Sequence, residues 1–140
     1  MAHSFTKMHG LGNDFVVIDA RETPVEMTPA RALAIADRQR GIGCDQLVLL
    51  EPSDAADVKM RIFNADGSEV EACGNATRCV ASLLGVPATI ETLGGLLNVT
   101  PADGGAEVVL VEPNFEWDQI PLAYPMDTRD LPLGWDELVH

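Results

Sequence analysis

The chain has 140 residues, 46% hydrophobic and 22% charged, which suits one domain with a real core or half of a two-domain protein. Its net charge of −13 repels phosphate backbones and anionic lipids, which argues against nucleic acids and membrane surfaces as partners. Three irregularly spaced cysteines do not form a disulfide framework, and the N-terminus lacks the apolar region of a secretory signal. We therefore expect a cytoplasmic protein.

Short apolar and β-branched segments predict strands along most of the chain. Residues 14–19 are typical of a buried strand, and the alternation of apolar and basic residues in 58–63 is typical of a half-buried one. The other predicted strands are 5–8, 45–50, 69–72, 88–92, 96–100 and 106–112. Asp66-Gly67 predicts a hairpin turn after residue 63, and this hairpin delivers the chain to Cys73.

A first helix is predicted by its capping residues. Thr28 is a suitable N-cap, and Pro29 suits the first helical position. Good helix formers continue from there to Arg40, and Gly41 is a suitable residue after the C-terminus. We therefore expect this helix to run to Arg40, with Arg38 and Arg40 in its last turn.

A second helix is predicted from about Asn75 to Leu84, with few charges, so we expect protein to enclose it. Tight turns link most strands after residue 58, which argues against a doubly wound parallel fold. We predict an α+β domain in residues 1–112, with a curved antiparallel, barrel-like sheet around a central helix. Four prolines break regular structure in residues 113–140, which predicts a strap or a linker that leaves the domain.

Cys73-Gly74-Asn75 is the sequence with the clearest chemistry. A cysteine at a helix start lies beside unpaired backbone N–H groups, which favour a thiolate and can also hold a carboxylate. Cys73 is therefore a candidate general acid/base or nucleophile, the alternative being an inert buried thiol. Cys79 is interpreted as a core residue, and Cys44 as structural or incidental.

Three amide side chains lie in or beside glycine-containing segments, namely Asn13, Gln46 and Asn64. An amide both donates and accepts hydrogen bonds, so a group of them could bind an ammonium–carboxylate zwitterion. Asn and Gly are also ordinary turn residues, and each segment taken singly favours that interpretation.

Other site classes lack their motifs in this chain. Neither a P-loop nor a G-x-G-x-x-G sequence is present, and the Cys and His spacings match no zinc site. There is no Cys-x-x-Cys for thiol redox chemistry, and no His carries the signature of a Cys–His pair. The sequence therefore carries no motif for a phosphate-binding loop, a zinc site or a thiol redox centre.

Several motifs in order resemble the N-terminal half of the diaminopimelate epimerase family, and the resemblance covers nearly the whole chain. These motifs occupy residues 8–15, 41–46, 61–69, 73–79 and 113–122. The resemblance implies a two-lobed, pyridoxal-phosphate- and metal-independent enzyme that interconverts LL- and meso-diaminopimelate. It also implies that the linker leads to a second lobe, and a homodimer is possible.

The resemblance implies roles for particular residues. Cys73 corresponds to one of two cysteines that face each other across the substrate α-carbon and exchange its proton. The backbone amides of Gly74 and Asn75 would receive the α-carboxylate, and the substrate-binding side chains would be Asn13, Gln46 and Asn64.

This sequence departs from the family pattern in two ways. Ala76 stands where the family usually has glycine, and nothing in these residues supplies the partner cysteine, because neither Cys44 nor Cys79 lies in a matching motif. We therefore expect the chain alone to be inactive. Two alternatives stay open: a related isomerase acting on proline or a similar substrate, and a non-catalytic binding module. The Gly-Asn loop after Met8 favours diaminopimelate.

Overall fold

The computed structural model describes residues 2–110, 112–120 and 122–131. Of the predicted segment 113–140, residue 121 and residues 132–140 therefore lie outside the described residues. The chain divides into two compact units, residues 1–110 and residues 111–140. None of the helices in the described part of the chain is long and apolar enough to cross a membrane. The candidate site lies entirely within the first unit.

Within residues 2–110, the described part of the first unit, there are eight strands and two helices. The strands are β1 (Thr6–Gly10), β2 (Asn13–Asp19), β3 (Gln46–Glu51), β4 (Val58–Asn64), β5 (Glu69–Val70), β6 (Ala88–Thr92), β7 (Gly95–Ala102) and β8 (Gly105–Val109). The helices are α1 (Pro29–Ala36), between β2 and β3, and α2 (Gly74–Leu84), between β5 and β6.

The strands form one sheet in the order β1-β2-β3-β4-β6-β7-β8. The short strand β5 also pairs with β4, at residues 62 and 63, whereas β6 pairs with residues 58 and 59 of β4. Helix α2 contacts β1 as well as β7 and β8, which stand at opposite ends of that order. The sheet therefore curls around α2, and the predicted α+β class with a barrel-like sheet around a central helix is confirmed.

The sheet is mixed rather than wholly antiparallel. Five of the seven strand pairings among the described residues are antiparallel, whereas β2–β3 and β4–β6 are parallel. Parallel neighbours need a long crossover connection. Each parallel pair here has a helix in its connection, α1 for β2–β3 and α2 for β4–β6.

Side-chain alternation gives the sheet two apolar faces. Phe15, Val48 and Ile62 share one core with residues of α2, whereas Leu47 and Phe63 share another with residues of α1. Because successive side chains of a strand point to opposite faces, each strand position can be assigned to the α1 face or to the α2 face. This assignment locates the predicted site residues.

Helix α1 begins as predicted but ends sooner. Thr28 is its N-cap and accepts a hydrogen bond from the backbone N–H of Arg31 at 3.3 Å, and Pro29 is its first residue. The predicted end at Arg40 is wrong, because the helix ends at Ala36 and Asp37 is extended. The Asp37 carboxylate accepts from the N–H groups of residues 39 and 40, so it offers the backbone a turn that competes with the helix.

Candidate active site

The three predicted amide residues lie at one end of the sheet. Asn13 and Gln46 are the first residues of the parallel strands β2 and β3, and Asn64 is the last residue of β4, which runs antiparallel to β3. Each is an even number of positions from a residue of the α2 core in its own strand: Phe15, Val48 or Ile62. All three therefore lie on the α2 face.

The start of α2 lies at the same end of the sheet. Cys73 is its N-cap residue, with φ −150° and ψ 114°, and its side chain makes no capping hydrogen bond. The backbone N–H of Thr77 donates to the carbonyl of Cys73 at 3.0 Å, and this is the first backbone hydrogen bond of the helix. No acidic residue lies in that turn. The N–H groups of Gly74 and Asn75 are therefore without intrahelical partners and favour an anion.

Asn13 connects the sheet to this helix start. Its carbonyl oxygen lies 3.8 Å from the Cys73 sulfur and accepts from the Asn75 side-chain amide at 3.4 Å. Its amino group donates to the Asp45 carboxylate at 3.1 Å. A carboxylate only accepts, so Asp45 fixes Asn13 with its carbonyl oxygen towards Cys73.

Gln46 and Asn64 form a second cluster, paired directly across β3 and β4. The Gln46 amino group donates to the Asn64 carbonyl at 2.9 Å, and the Asn64 amino group donates to the Ser68 hydroxyl at 3.1 Å. The other Gln46 atom, Oε1, is buried without a hydrogen-bond partner among the described residues. A buried acceptor in that state is costly unless a further group donates to it.

Charged side chains hold Asp45, the carboxylate that orients Asn13, and the sequence did not predict this arrangement. Asp14 and Asp45 both pair with Arg38, at 2.7 and 2.9 Å, and Asp14 also pairs with Lys7 at 2.7 Å. The Arg38 guanidinium, and after it Lys7, hold the pKa of the Asp14 carboxyl well below its usual range. The sequence did not predict these ion pairs, because Arg38 was assigned to a last helical turn that does not form.

The other two cysteines are core residues. Cys79 is 6% exposed and Cys44 is 1% exposed, whereas Cys73 is half-buried. Burial raises the pKa of both the Cys79 and the Cys44 thiols, which keeps them protonated and unreactive. Ala76 is also wholly buried, with its side chain in the core that α2 shares with the sheet. Its methyl group therefore lies in the core, not over the helix start.

A cavity among the described residues is a neighbouring feature. Its volume is about 570 Å³, and it lies between the β1–β2 turn and the β7–β8 turn, beside Arg78 and Cys79 of α2. None of the six predicted site residues lines it. The described residues also contain no cluster of three or more His, Cys, Asp or Glu side chains placed to hold a metal ion.

The family model described as diaminopimelate epimerase matches residues 5–114. Diaminopimelate epimerase of Sphingopyxis alaskensis is 80% identical over 140 residues, which are 100% of this chain and 52% of that protein. The enzyme of the same name from Rhizorhabdus wittichii is 72% identical over 135 residues, 96% of this chain and 49% of its own length. The chain thus spans about half the length of the curated relatives it matches.

A solved structure also shares the fold. The hydroxyproline epimerase of Agrobacterium vitis superposes with a TM-score of 0.55 at 18% sequence identity, over 76% of this chain and 41% of that one. At this identity, the likeness concerns the fold alone.

Proposed function

The chain belongs to the diaminopimelate epimerase family, and on that premise we propose that it forms the N-terminal lobe of a cofactor-independent amino-acid epimerase. The proposed reaction interconverts LL- and meso-diaminopimelate, in lysine and peptidoglycan biosynthesis. The observation that carries the proposal is a half-buried Cys73 at an uncapped helix start, beside Asn13 and Asn75.

In the proposed mechanism the Cys73 sulfur exchanges a proton with the substrate α-carbon. As thiolate it removes the α-proton, and as thiol it returns one, so it serves as general base in one direction and as general acid in the other. Negative charge grows on the carboxylate as the proton leaves. The N–H groups of Gly74 and Asn75 lie at the positive end of the α2 dipole and stabilise that charge.

The proposed substrate-binding side chains are Asn13, Gln46 and Asn64. They lie at the same end of the sheet as Cys73 and on the face that α2 covers. An amide side chain has both a carbonyl acceptor and an NH2 donor, so these residues can accept from an ammonium group and donate to a carboxylate.

Inversion of a carbon centre requires a second acid–base group on its opposite face, and we propose that a second lobe provides it. The remaining cysteines of this chain are unsuitable, since both Cys44 and Cys79 are buried in core clusters. The relatives are about twice as long as this chain, which supports such a lobe. Residues 113–140 would lead to it; a cytoplasmic location and a possible homodimer belong to the same proposal.

A comparison of the chain alone with the two-lobed enzyme tests this proposal. The assay follows deuterium incorporation at the α-carbon of meso-diaminopimelate in deuterated water. We expect exchange by the two-lobed enzyme and none above background by residues 1–140, because the chain alone lacks one base and leaves its site open to water. Enzymatic exchange by the chain alone would contradict the expected inactivity of residues 1–140, and binding without exchange by the two-lobed enzyme would favour a non-catalytic binding module.

A further inference from the structure

The second amide cluster continues beyond the predicted site residues. Ser68 accepts from the Asn64 amino group at 3.1 Å, and its own hydroxyl donates to the Asp66 carboxylate at 2.6 Å. The backbone N–H of Ser68 donates to the same Asp66 oxygen at 2.8 Å. Three hydrogen bonds thus connect Asp66 to Gln46 through Ser68 and Asn64, and we call this chain of contacts the Asp66 relay.

The chemistry of Asp66 fixes the direction of every bond in the relay. An ionised carboxylate only accepts, so the single Ser68 proton is committed to Asp66, and Ser68 can offer Asn64 only a lone pair. Asn64 must therefore direct its amino group to Ser68 and its carbonyl to Gln46. Gln46 in turn must give its amino group to Asn64, which leaves Oε1 as the free atom.

The free atom at the end of the relay is a hydrogen-bond acceptor held in a buried position. A reversed Gln46 would present an amino group instead and would favour a carboxylate ligand. We infer that Asp66 is a positioning residue, which through Ser68 and Asn64 holds Gln46 with its carbonyl oxygen towards the ligand's ammonium group. This inference rests on the proposed function, which makes Gln46 part of the substrate site.

The turn that carries Asp66 is built to hold this arrangement. The N–H of Asn64 donates to the Ser68 carbonyl at 2.8 Å, and the N–H of Gly67 donates to the Asn64 carbonyl at 2.9 Å. Gly67 has φ +86°, and a Cβ there would lie 2.4 Å from the carbonyl oxygen of Pro29 in α1. Hydrogen bonding to Ser68 lowers the pKa of the Asp66 carboxyl, so Asp66 stays ionised at neutral pH.

Two variants separate the relay from a general effect of charge. Ser68→Ala removes the link, and Asp66→Asn supplies an amide that can donate to Ser68 and so permits the whole relay to reverse. Asp54→Asn is the matched control, because it makes the same charge change at an exposed position on the 52–57 turn. Asp66 and Ser68 are also exposed, so we expect all three variants to fold.

The first readout needs no ligand. In the 140-residue chain, hydrogen exchange of the Gln46 and Asn64 side-chain NH2 groups is followed by NMR. We expect both to be protected in the wild type and in Asp54→Asn, and to exchange about tenfold faster in Ser68→Ala, because the removed hydroxyl frees the Asn64 amide to turn. Unchanged protection in Ser68→Ala would overturn the relay, whatever the enzyme's reaction.

The second readout is the steady-state kinetics of the two-lobed enzyme with meso-diaminopimelate. For Ser68→Ala and Asp66→Asn we expect KM to rise about tenfold, as for loss of one hydrogen bond to a charged group, with kcat within about threefold. Faster amide exchange with an unchanged KM would show that Gln46 Oε1 does not meet the ligand, and would overturn the inference. An inactive wild-type enzyme would instead contradict the proposed function, and the exchange readout would still decide the relay.

Discussion

The two helices of the lobe begin in opposite ways. Thr28 closes the start of α1 by accepting a backbone N–H, whereas Cys73 stands at the same position of α2 and makes no capping bond. A serine or threonine N-cap stabilises a helix by about 1 kcal/mol relative to an uncapped start. The second helix forgoes that stabilisation and keeps its N–H groups open, so the comparison separates a structural helix end from one suited to a ligand.

Cys73→Ser should produce the largest loss of activity, and it also makes the start of α2 resemble the hydroxyl-capped start of α1. Serine is a far weaker base of similar size, so we expect α-proton exchange in the two-lobed enzyme to fall by about 10²–10⁴-fold. The serine hydroxyl can also cap the helix, so the free energy of unfolding of the chain should stay level or rise by up to about 1 kcal/mol. Deuterium exchange and urea unfolding measure the two effects.

Cys79→Ala is the control for that experiment, since it removes a buried sulfur without touching the helix start. It should lower the free energy of unfolding, through a small cavity, and leave kcat nearly unchanged. Normal exchange by Cys73→Ser would refute the assignment of Cys73 as the base.

Gly10→Ala should disturb the uncapped helix start without altering its chemistry. A Cβ at Gly10 would lie 3.2 Å from the Cβ of Asn75, closer than these atoms normally approach. We expect Asn75 to move from Asn13 and KM to rise by about tenfold, which corresponds to about 1.4 kcal/mol of lost binding.

Gly105→Ala is the matched substitution for Gly10→Ala, because a Cβ there has no neighbour within 4 Å. It should leave KM unchanged in the same assay. Equal KM values for both alanine variants would mean that a methyl group at position 10 does not disturb the part that Asn75 plays in substrate binding.

Thr28→Ala opens the start of α1 and so tests the comparison from the other side. Loss of the Thr28 cap should reduce the free energy of unfolding by about 1 kcal/mol, measured by urea denaturation of the chain. Because α1 packs on the sheet face away from α2, kcat and KM of the two-lobed enzyme should be unchanged. A drop in kcat equal to that of a site variant would show that α1 positions the catalytic groups.

The two helix starts also show what sequence reasoning can reach. Local signals predicted both helices: Thr28-Pro29 is a capping pattern that begins α1, and the sequence predicted a second helix from about Asn75 to Leu84, close to the observed Gly74–Leu84. The end of α1 was missed because the carboxylate of Asp37, a weak helix former, accepts from the backbone N–H groups of residues 39 and 40 and so favours a turn over further helix. The parallel pairing of β2 with β3 was missed because pairing is a tertiary choice that strand patterns do not encode.

The candidate site shows the same division between local and long-range information. The residue types and the family resemblance indicated Cys73 and the three amides, and their strand positions place those amides together. The residues that orient the amides were not predicted: Asp45, Arg38 and Asp66 act through hydrogen bonds whose partners depend on the folded register. A sequence shows which side chains can donate and accept, but the direction of each amide follows only from its neighbours.

The smallest expected effect is a pH dependence at the far end of α1, where Arg38 holds Asp14. Because Arg38 and Lys7 lower the pKa of Asp14 in the folded chain, its pairing stabilises the fold fully above the unfolded-state pKa of about 4. That stabilisation is lost as pH falls below 4. Asp14→Asn should therefore be less stable at pH 7, by roughly 1 kcal/mol or less for these partly exposed pairs, and the deficit should shrink towards pH 2. Urea unfolding at pH 7, 4 and 2 measures it, and a deficit independent of pH would indicate lost packing instead of a lost charge.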